Sequence, residues 1–233
     1  MIKKNKNILK HSSVDLSFPE IEPAKNFIPD WYKKTPPFVD GHKTPKRLPF
    51  PITFKKCIVF LDSFTTGYMI PLAVDISVEK TDIGQLISWK DDSRKIVELR
   101  NNKDNELIPT PAGYSDEHYA WYTQHIFKIP KGYSAFLGHP INRFDLPFLT
   151  LSGIIDGELC LPNGNIPVFF KKDFEGLIPA GTPIAQVFLF KTENWKSKID
   201  RSLIEESSLN TKKSLNIAQG WYRDNIWKKK TYE

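Results

Sequence analysis

Between Cys57 and Phe190 the apolar residues come in short runs, each closed by a turn rich in Gly, Pro, Asn or Asp. Runs of roughly four to eight residues with this punctuation fit β-strands and are too short for most helices. Strands are expected at Cys57–Leu61 and Tyr68–Val78 with Thr65-Thr66-Gly67 as the turn between them, then at Ile83–Trp89 and Lys95–Leu99 around the turn Asp91-Asp92-Ser93. Arg100 to Glu117 is polar and reads as loop. His118 to Ile129 alternates, so that Tyr119, Trp121, Thr123, His125, Phe127 and Ile129 share one face, with His125 as a packed or hydrogen-bonded core histidine. Further strands are expected at Tyr133–Leu137, Leu146–Ile155, Ile166–Phe170 and Ile184–Phe190. The pattern predicts a mainly β body of the sandwich, jelly-roll or related closed kind.

The two ends follow other rules. Prolines at positions 19, 23, 29, 36, 37, 45, 49 and 51 leave residues 1–56 as an arm with room for one short helix around Pro23 to Lys34. Phe27, Ile28, Trp31 and Tyr32 would line one side of that helix, and Trp31 and Tyr32 are expected to dock on the chain's own body or on a neighbour. After Trp195 the apolar period becomes helical through Ile199, Leu203, Ile204, Ile217, Trp221 and Tyr222, with a break near Asn210 or Gly220. Residues 191–233 thus form a helical tail carrying Trp221 and Trp227 as further interaction residues, and residues 57–190 form the β domain.

Charge is divided the same way. The chain carries +6, with 12 Lys/Arg against 5 Asp/Glu in residues 1–56, 11 against 16 in residues 57–190 and 10 against 6 in residues 191–233. Basic ends on an acidic body fit a nucleic acid or an acidic partner, but the sequence shows no arginine–aromatic interleaving of a nucleic-acid platform. No run nears the roughly 20 apolar residues of a membrane span, and no apolar signal core follows the basic start. Cys57 and Cys160 lie at the edges of apolar runs and are expected to be buried free thiols. Five scattered histidines, His11, His42, His118, His125 and His139, lack metal-ligand spacing, so no metal and no cofactor is expected.

The segment 129–190 carries Ile129-Pro130-Lys131-Gly132-Tyr133, Gly153-Ile154-Ile155-Asp156-Gly157 and Gly181-Thr182-Pro183-Ile184-Ala185-Gln186-Val187. In order and spacing these resemble the β-clip scaffold of the dUTPase and dCTP deaminase superfamily. Gly132 and Gly181 suit the positive φ of tight turns. The resemblance implies a dUTPase-like β-clip or distorted jelly-roll core, and it places Asp156 where those enzymes hold the sugar and activate water. It also implies departures. The phosphate-gripping Pro-Arg-Ser-Gly run is replaced by Gly138-His139-Pro140-Ile141-Asn142-Arg143-Phe144-Asp145, Gly157-Glu158-Leu159-Cys160 stands where an aromatic-Arg-Gly should, and no glycine-rich tail is present. Asp75 is a faint echo of the first motif. Over its full length, through Trp31-Tyr32-Lys33-Lys34, Gly67-Tyr68-Met69-Ile70-Pro71-Leu72, His139-Pro140-Ile141-Asn142-Arg143 and Phe174-Glu175-Gly176, the chain resembles an uncharacterised family of large tailed phages, especially those of marine bacteria. That resemblance implies the host cytoplasm or the phage particle, with the chain itself or other phage proteins as partners.

The candidate polar cluster is His139, Asn142, Arg143, Asp145 and Asp156. Its catalytic reading gives Arg143 to an anion, with Asn142 and Asp145 lining the site, His139 to acid–base work and Asp156 to water or Mg²⁺ activation. Its structural reading pairs Arg143 with Asp145 and leaves Asp156 as a turn residue. Three functions stay open, ranked by the long aromatic ends: a non-enzymatic structural, assembly or interaction protein; a nucleotide-binding or nucleotide-hydrolysing relative of dUTPase; and a nucleic-acid-associated factor using basic termini.

Overall fold

A computed structural model describes residues 8–39, 52–90, 93–100, 108–156, 165–214 and 221–233. The strands in order are β1 (Lys10–Ser13), β2 (Glu22–Pro23), β3 (Tyr68–Pro71), β4 (Ile76–Thr81), β5 (Gly84–Trp89), β6 (Val97–Arg100), β7 (His118–Tyr122), β8 (His125–Lys128), β9 (Tyr133–Gly138), β10 (Phe148–Thr150), β11 (Gly153–Asp156), β12 (Asn165–Phe170), β13 (Gly176–Ile178) and β14 (Pro183–Lys191). The helices are α1 (Asp30–Lys34), α2 (Ile58–Thr65), α3 (Leu203–Ser214) and α4 (Trp221–Asn225). The fold is mainly β, as the turn rhythm predicts. Its short antiparallel strands form sheets ordered β11-β9-β14-β3-β2, β10-β12-β7-β6, β13-β4-β5 and β1-β8.

The two larger sheets contribute to one core. Ile70, Ala135, Leu137, Ala185 and Val187 from the first share a buried cluster with Tyr119, Trp121, Phe148, Val168 and Phe170 from the second. Trp121 sits edge-on to Phe148 and Phe170 at 5.2 and 5.4 Å, a favoured aromatic geometry. Both faces of β7 are covered, since His118 and Ala120 are as buried as Tyr119 and Trp121.

Several long runs in the sequence divide between sheets. The stretch 118–129 breaks at Gln124, whose φ of 58° ends one strand and starts the next. Gln124 is held there by its Nε2–H donating to the Lys95 carbonyl (2.7 Å) and by its own carbonyl accepting from Val14 N–H (2.9 Å). So β7 joins the four-stranded sheet while β8 pairs with β1. His125 is a hydrogen-bonded core histidine, its ring in contact with the carbonyls of Pro19 and Thr123. Similarly, 146–155 yields β10 and β11 in different sheets, and 68–78 yields β3 and β4.

The expected strand Cys57–Leu61 is instead the start of α2. The β-branched run is overridden by packing: Phe60 and Phe64, four residues apart, share a helix face that meets Trp31 and Tyr32 of α1, with ring centroids 4.9 to 6.5 Å apart. Cys57 is consequently exposed rather than buried, while Cys160 lies outside the described residues. The single helix expected near 23–34 is split by buried Pro29 into a 3₁₀ turn, Ala24–Phe27, and α1. Arm residues also enter the sheets, because β1 pairs with β8 and β2 with β3. Gly132 and Gly181 take φ of +77° and +82°, as their turns require. No helix among the described residues is long and apolar enough to cross a membrane.

Candidate functional site

The loop that joins β9 to β10 carries His139, Asn142, Arg143 and Asp145. Its course is set by hydrogen bonds from Arg143 N–H to Pro140 O (3.1 Å) and from Leu146 N–H to Arg143 O (3.2 Å). Asn142 has φ of +60°, a conformation asparagine tolerates better than most residues, and its Nδ2–H donates to Ser63 Oγ on α2 (2.8 Å). Beneath the loop lies Gln186 of β14, fully buried. Its Oε1 accepts from Ile141 N–H (2.8 Å), and its Nε2 donates to Ser63 O (3.0 Å) and Thr66 O (2.7 Å). One amide thus ties the loop and the end of α2 to the sheet.

His139 has both ring nitrogens engaged. Nδ1 accepts from Thr150 N–H (3.3 Å), which leaves Nε2–H to donate to Arg143 O (3.1 Å). Burial holds its pKa below the ordinary histidine value of 6.5. Arg143 is buried and donates Nε to both oxygens of Asp145 (2.9 and 3.1 Å), Nη2 to Asp145 Oδ2 (2.8 Å) and Nη1 to Phe27 O (3.1 Å). Burial pushes the Asp145 carboxyl upward, but the Arg143 guanidinium outweighs it and holds the group below its ordinary value. Trp31 Nε1–H reaches the same carboxylate at 3.3 Å. The arginine–aspartate fork therefore clasps the N-terminal arm to the loop, and its donors point at protein groups.

Asp156 is not part of this cluster. β11 runs antiparallel to β9 with Gly153 opposite Leu137 and Asp156 opposite Ser134. Asp156 is therefore about 13 Å along the strand from the start of the loop, at ~3.3 Å per residue. Ser134 Oγ–H donates to its Oδ1 (2.6 Å), and Ser134 Oγ also meets Thr192 Oγ1 (2.7 Å). Asp75 accepts from Ala180 N–H (2.7 Å) and so fixes a turn. Among the described residues, no three His, Cys, Asp or Glu side chains are grouped to share a metal ion.

The interaction residues meet the chain's own body. Trp31 and Tyr32 pack on α2, and Trp227 Nε1–H donates to Asp62 of α2 (2.9 Å), beside an ion pair from Lys230. Tyr232 lies edge-on to Tyr68 (5.7 Å), and its carbonyl accepts from Lys25 Nζ (2.9 Å). Trp221 opens α4, but its side chain lies outside the described part. The residues that organise the region, Gln186, Ser63 and Asp62, were not singled out by sequence. Gln186 appears in the sequence as part of the motif 181–187 and as an amide amid the apolar run Ile184-Ala185-Gln186-Val187, neither of which indicates its tying role.

A shift of pH tests this wiring. His139 is neutral in the fold and its Nδ1 must stay an acceptor. Its contribution to stability is full above the unfolded value of about 6.5 and fades as pH falls through the depressed folded value. Asp145 adds a second loss at lower pH, beginning below its unfolded value of about 3.9. The melting temperature is therefore expected to drop in two stages on acidification. His139→Asn, which can keep the acceptor without titrating, should flatten the first stage; an unchanged first stage would place its origin elsewhere.

No protein family matches the chain, and no curated protein matches it. A solved structure of a variant dUTPase from phage phi11 of S. aureus is similar at 15% sequence identity over 46% of this chain and 97% of that one, with a TM-score of 0.26. A likeness of that degree says nothing of activity.

Proposed function

We propose that the chain is a non-enzymatic structural or assembly protein that associates with copies of itself through its C-terminal segment. The observation that supports this is the course of residues 192–208. They are exposed throughout, without regular secondary structure to Asp200 and helical from Leu203, so that Ile199 precedes the helix and Asn210 lies inside it rather than at the expected break. Trp195 and Ile199 are 86% and 88% exposed, and Leu203 and Ile204 on α3 are exposed as well. Burying a large apolar side chain is worth about 1.5–3 kcal/mol, so four of them on one segment strongly favour a protein surface over water. Trp227 and Tyr232, by contrast, meet the body at Asp62 and Tyr68. The resemblance to the tailed-phage family supports a place in the phage particle or in the host cytoplasm.

Sedimentation of the full chain checks this reading. An oligomer is expected at tens of micromolar. It should be lost, leaving a folded monomer, in Trp195→Ser with Ile199→Ser and Leu203→Ser, whose melting temperature should no longer depend on protein concentration. A wild-type monomer would overturn the reading. Because Arg143 is already engaged, dUTP or dCTP with Mg²⁺ should leave the melting temperature unchanged; a clear rise would move the function to nucleotides.

A further inference from the structure

A second surface gathers residues that are scattered along the chain. Phe54 is 68% exposed and stacks on Phe60 at 5.0 Å. Phe60 in turn meets the partly exposed Trp31 at 6.5 Å. Trp31 reaches Asp145, and the residue before Asp145 is Phe144, 75% exposed. Phe54 and Trp31 are thus linked through Phe60, and Phe144 adjoins the Asp145 that Trp31 touches; Phe54 and Phe144 are largely uncovered, while Trp31 shows only part of its ring.

Three lysines lie near them, and among the described residues none of the three is paired with a carboxylate. Lys55 Nζ donates to the carbonyls of Tyr32 (2.8 Å) and Lys33 (3.2 Å) and lies 4.5 Å over the Tyr32 ring. Lys56 Nζ lies 5.4 Å over the Phe38 ring, and Lys171 Nζ donates to Phe144 O (3.0 Å). These partners are carbonyls and rings, which orient an ammonium group without neutralising it. Of the acids alongside, Asp145 is held by Arg143 and Asp30 by Lys33. The face is therefore aromatic and net positive, in a chain whose first 56 residues carry most of the basic excess.

We propose that this face binds single-stranded nucleic acid, with bases stacked on Phe54, Trp31 and Phe144 and phosphates drawn to Lys55, Lys56 and Lys171. Exposed rings provide stacking platforms for any base, and lysines that no described carboxylate neutralises supply the counter-charge to the backbone. The combination favours a polyanion with planar groups. An acidic peptide would satisfy the lysines and leave the three rings unused. The sequence did not reveal this surface, because Phe54 and Phe144 are 90 positions apart.

The test uses the full chain and a fluorescein-labelled 20-mer of deoxythymidine, read by anisotropy. Saturable binding is expected at 50 mM salt. With about three phosphates neutralised by the three lysines, affinity should fall roughly 20-fold between 50 and 200 mM salt. Phe144→Ala and Phe54→Ala, both at exposed positions, should each weaken binding about tenfold, the scale of one lost base–aromatic stack. Lys56→Glu should weaken it and lower the salt slope. Absence of binding at 50 mM salt would overturn the proposal. So would binding that ignores both phenylalanine substitutions, or equal competition by polyglutamate, which would make the face a site for acidic protein.

Discussion

Gln186→Leu is expected to destabilise the protein by about 4 kcal/mol. Leucine fills nearly the same volume but strands three backbone groups: the N–H of Ile141 and the carbonyls of Ser63 and Thr66. A buried polar group left without a partner costs roughly 1–3 kcal/mol, and Gln186 is fully enclosed, so water cannot replace its amide at the centre of the network. The total stays below the summed maximum because Ser63 and Thr66 are only half-buried and their carbonyls can regain some solvent. In a chain of this size the melting temperature should fall by about 12 °C. Urea denaturation measures the loss directly. A change under about 1 kcal/mol would mean that the loop and α2 are held by something other than this amide.

The second large effect is at Gly67. Its φ is +76°, and a Cβ placed on it would stand 2.1 Å from the Val187 carbonyl oxygen and 2.8 Å from Phe188 Cβ. The obstacle is the backbone of the central strand β14, which cannot rotate out of the way. Gly67→Ala therefore combines the cost of a left-handed alanine, about 1–2 kcal/mol, with overpacking of about 1–3 kcal/mol. A loss of about 4 kcal/mol is expected. Gly113 provides the control: its φ is +86°, but nothing lies within 4 Å of the added Cβ, so Gly113→Ala should cost only about 1 kcal/mol. Because Gly67 O also accepts from Ala24 N–H (3.0 Å), the displaced turn should loosen the arm, and limited proteolysis within residues 8–39 should speed up in the Gly67 variant alone. Equal losses at the two glycines would show that backbone conformation, not the close approach to β14, governs both.

Both effects rest on contacts whose partners come from distant parts of the chain, and the candidate site divides along the same line. The local features were legible. Arg143 and Asp145 are two residues apart on a short loop, so their pairing needs no tertiary information, and the structure has it. His125 in an alternating run reads as a core histidine, and it is one. Asp156 joins them in the sequence only through the resemblance of Gly153-Ile154-Ile155-Asp156 to a dUTPase strand. Its distance from His139 and Arg143 depends on the register of β11 against β9, which no local pattern encodes. Gln186 stands in the quoted motif Ile184-Ala185-Gln186-Val187, but its tying role is not local: an amide in an apolar strand gains that meaning only when α2 and the 139–145 loop end against it.

The sequence by itself determined that the chain is mainly β, because strand-length apolar runs and Gly/Pro turns are local properties that each segment carries alone. It determined the positive-φ turns at Gly132 and Gly181, and the end of strand pattern after Phe190. Tertiary structure decided the rest. Ile58–Thr65 is a helix because Phe60 and Phe64 find Trp31 and Tyr32, and the packing gained by that aromatic cluster exceeds the small strand preference of a β-branched run. The run 118–129 is two strands because Gln124 can turn where Lys95 and Val14 receive it. Which sheet a strand joins, and which aromatic rings remain uncovered, are settled by burial summed over residues far apart in sequence, a sum that no single segment contains.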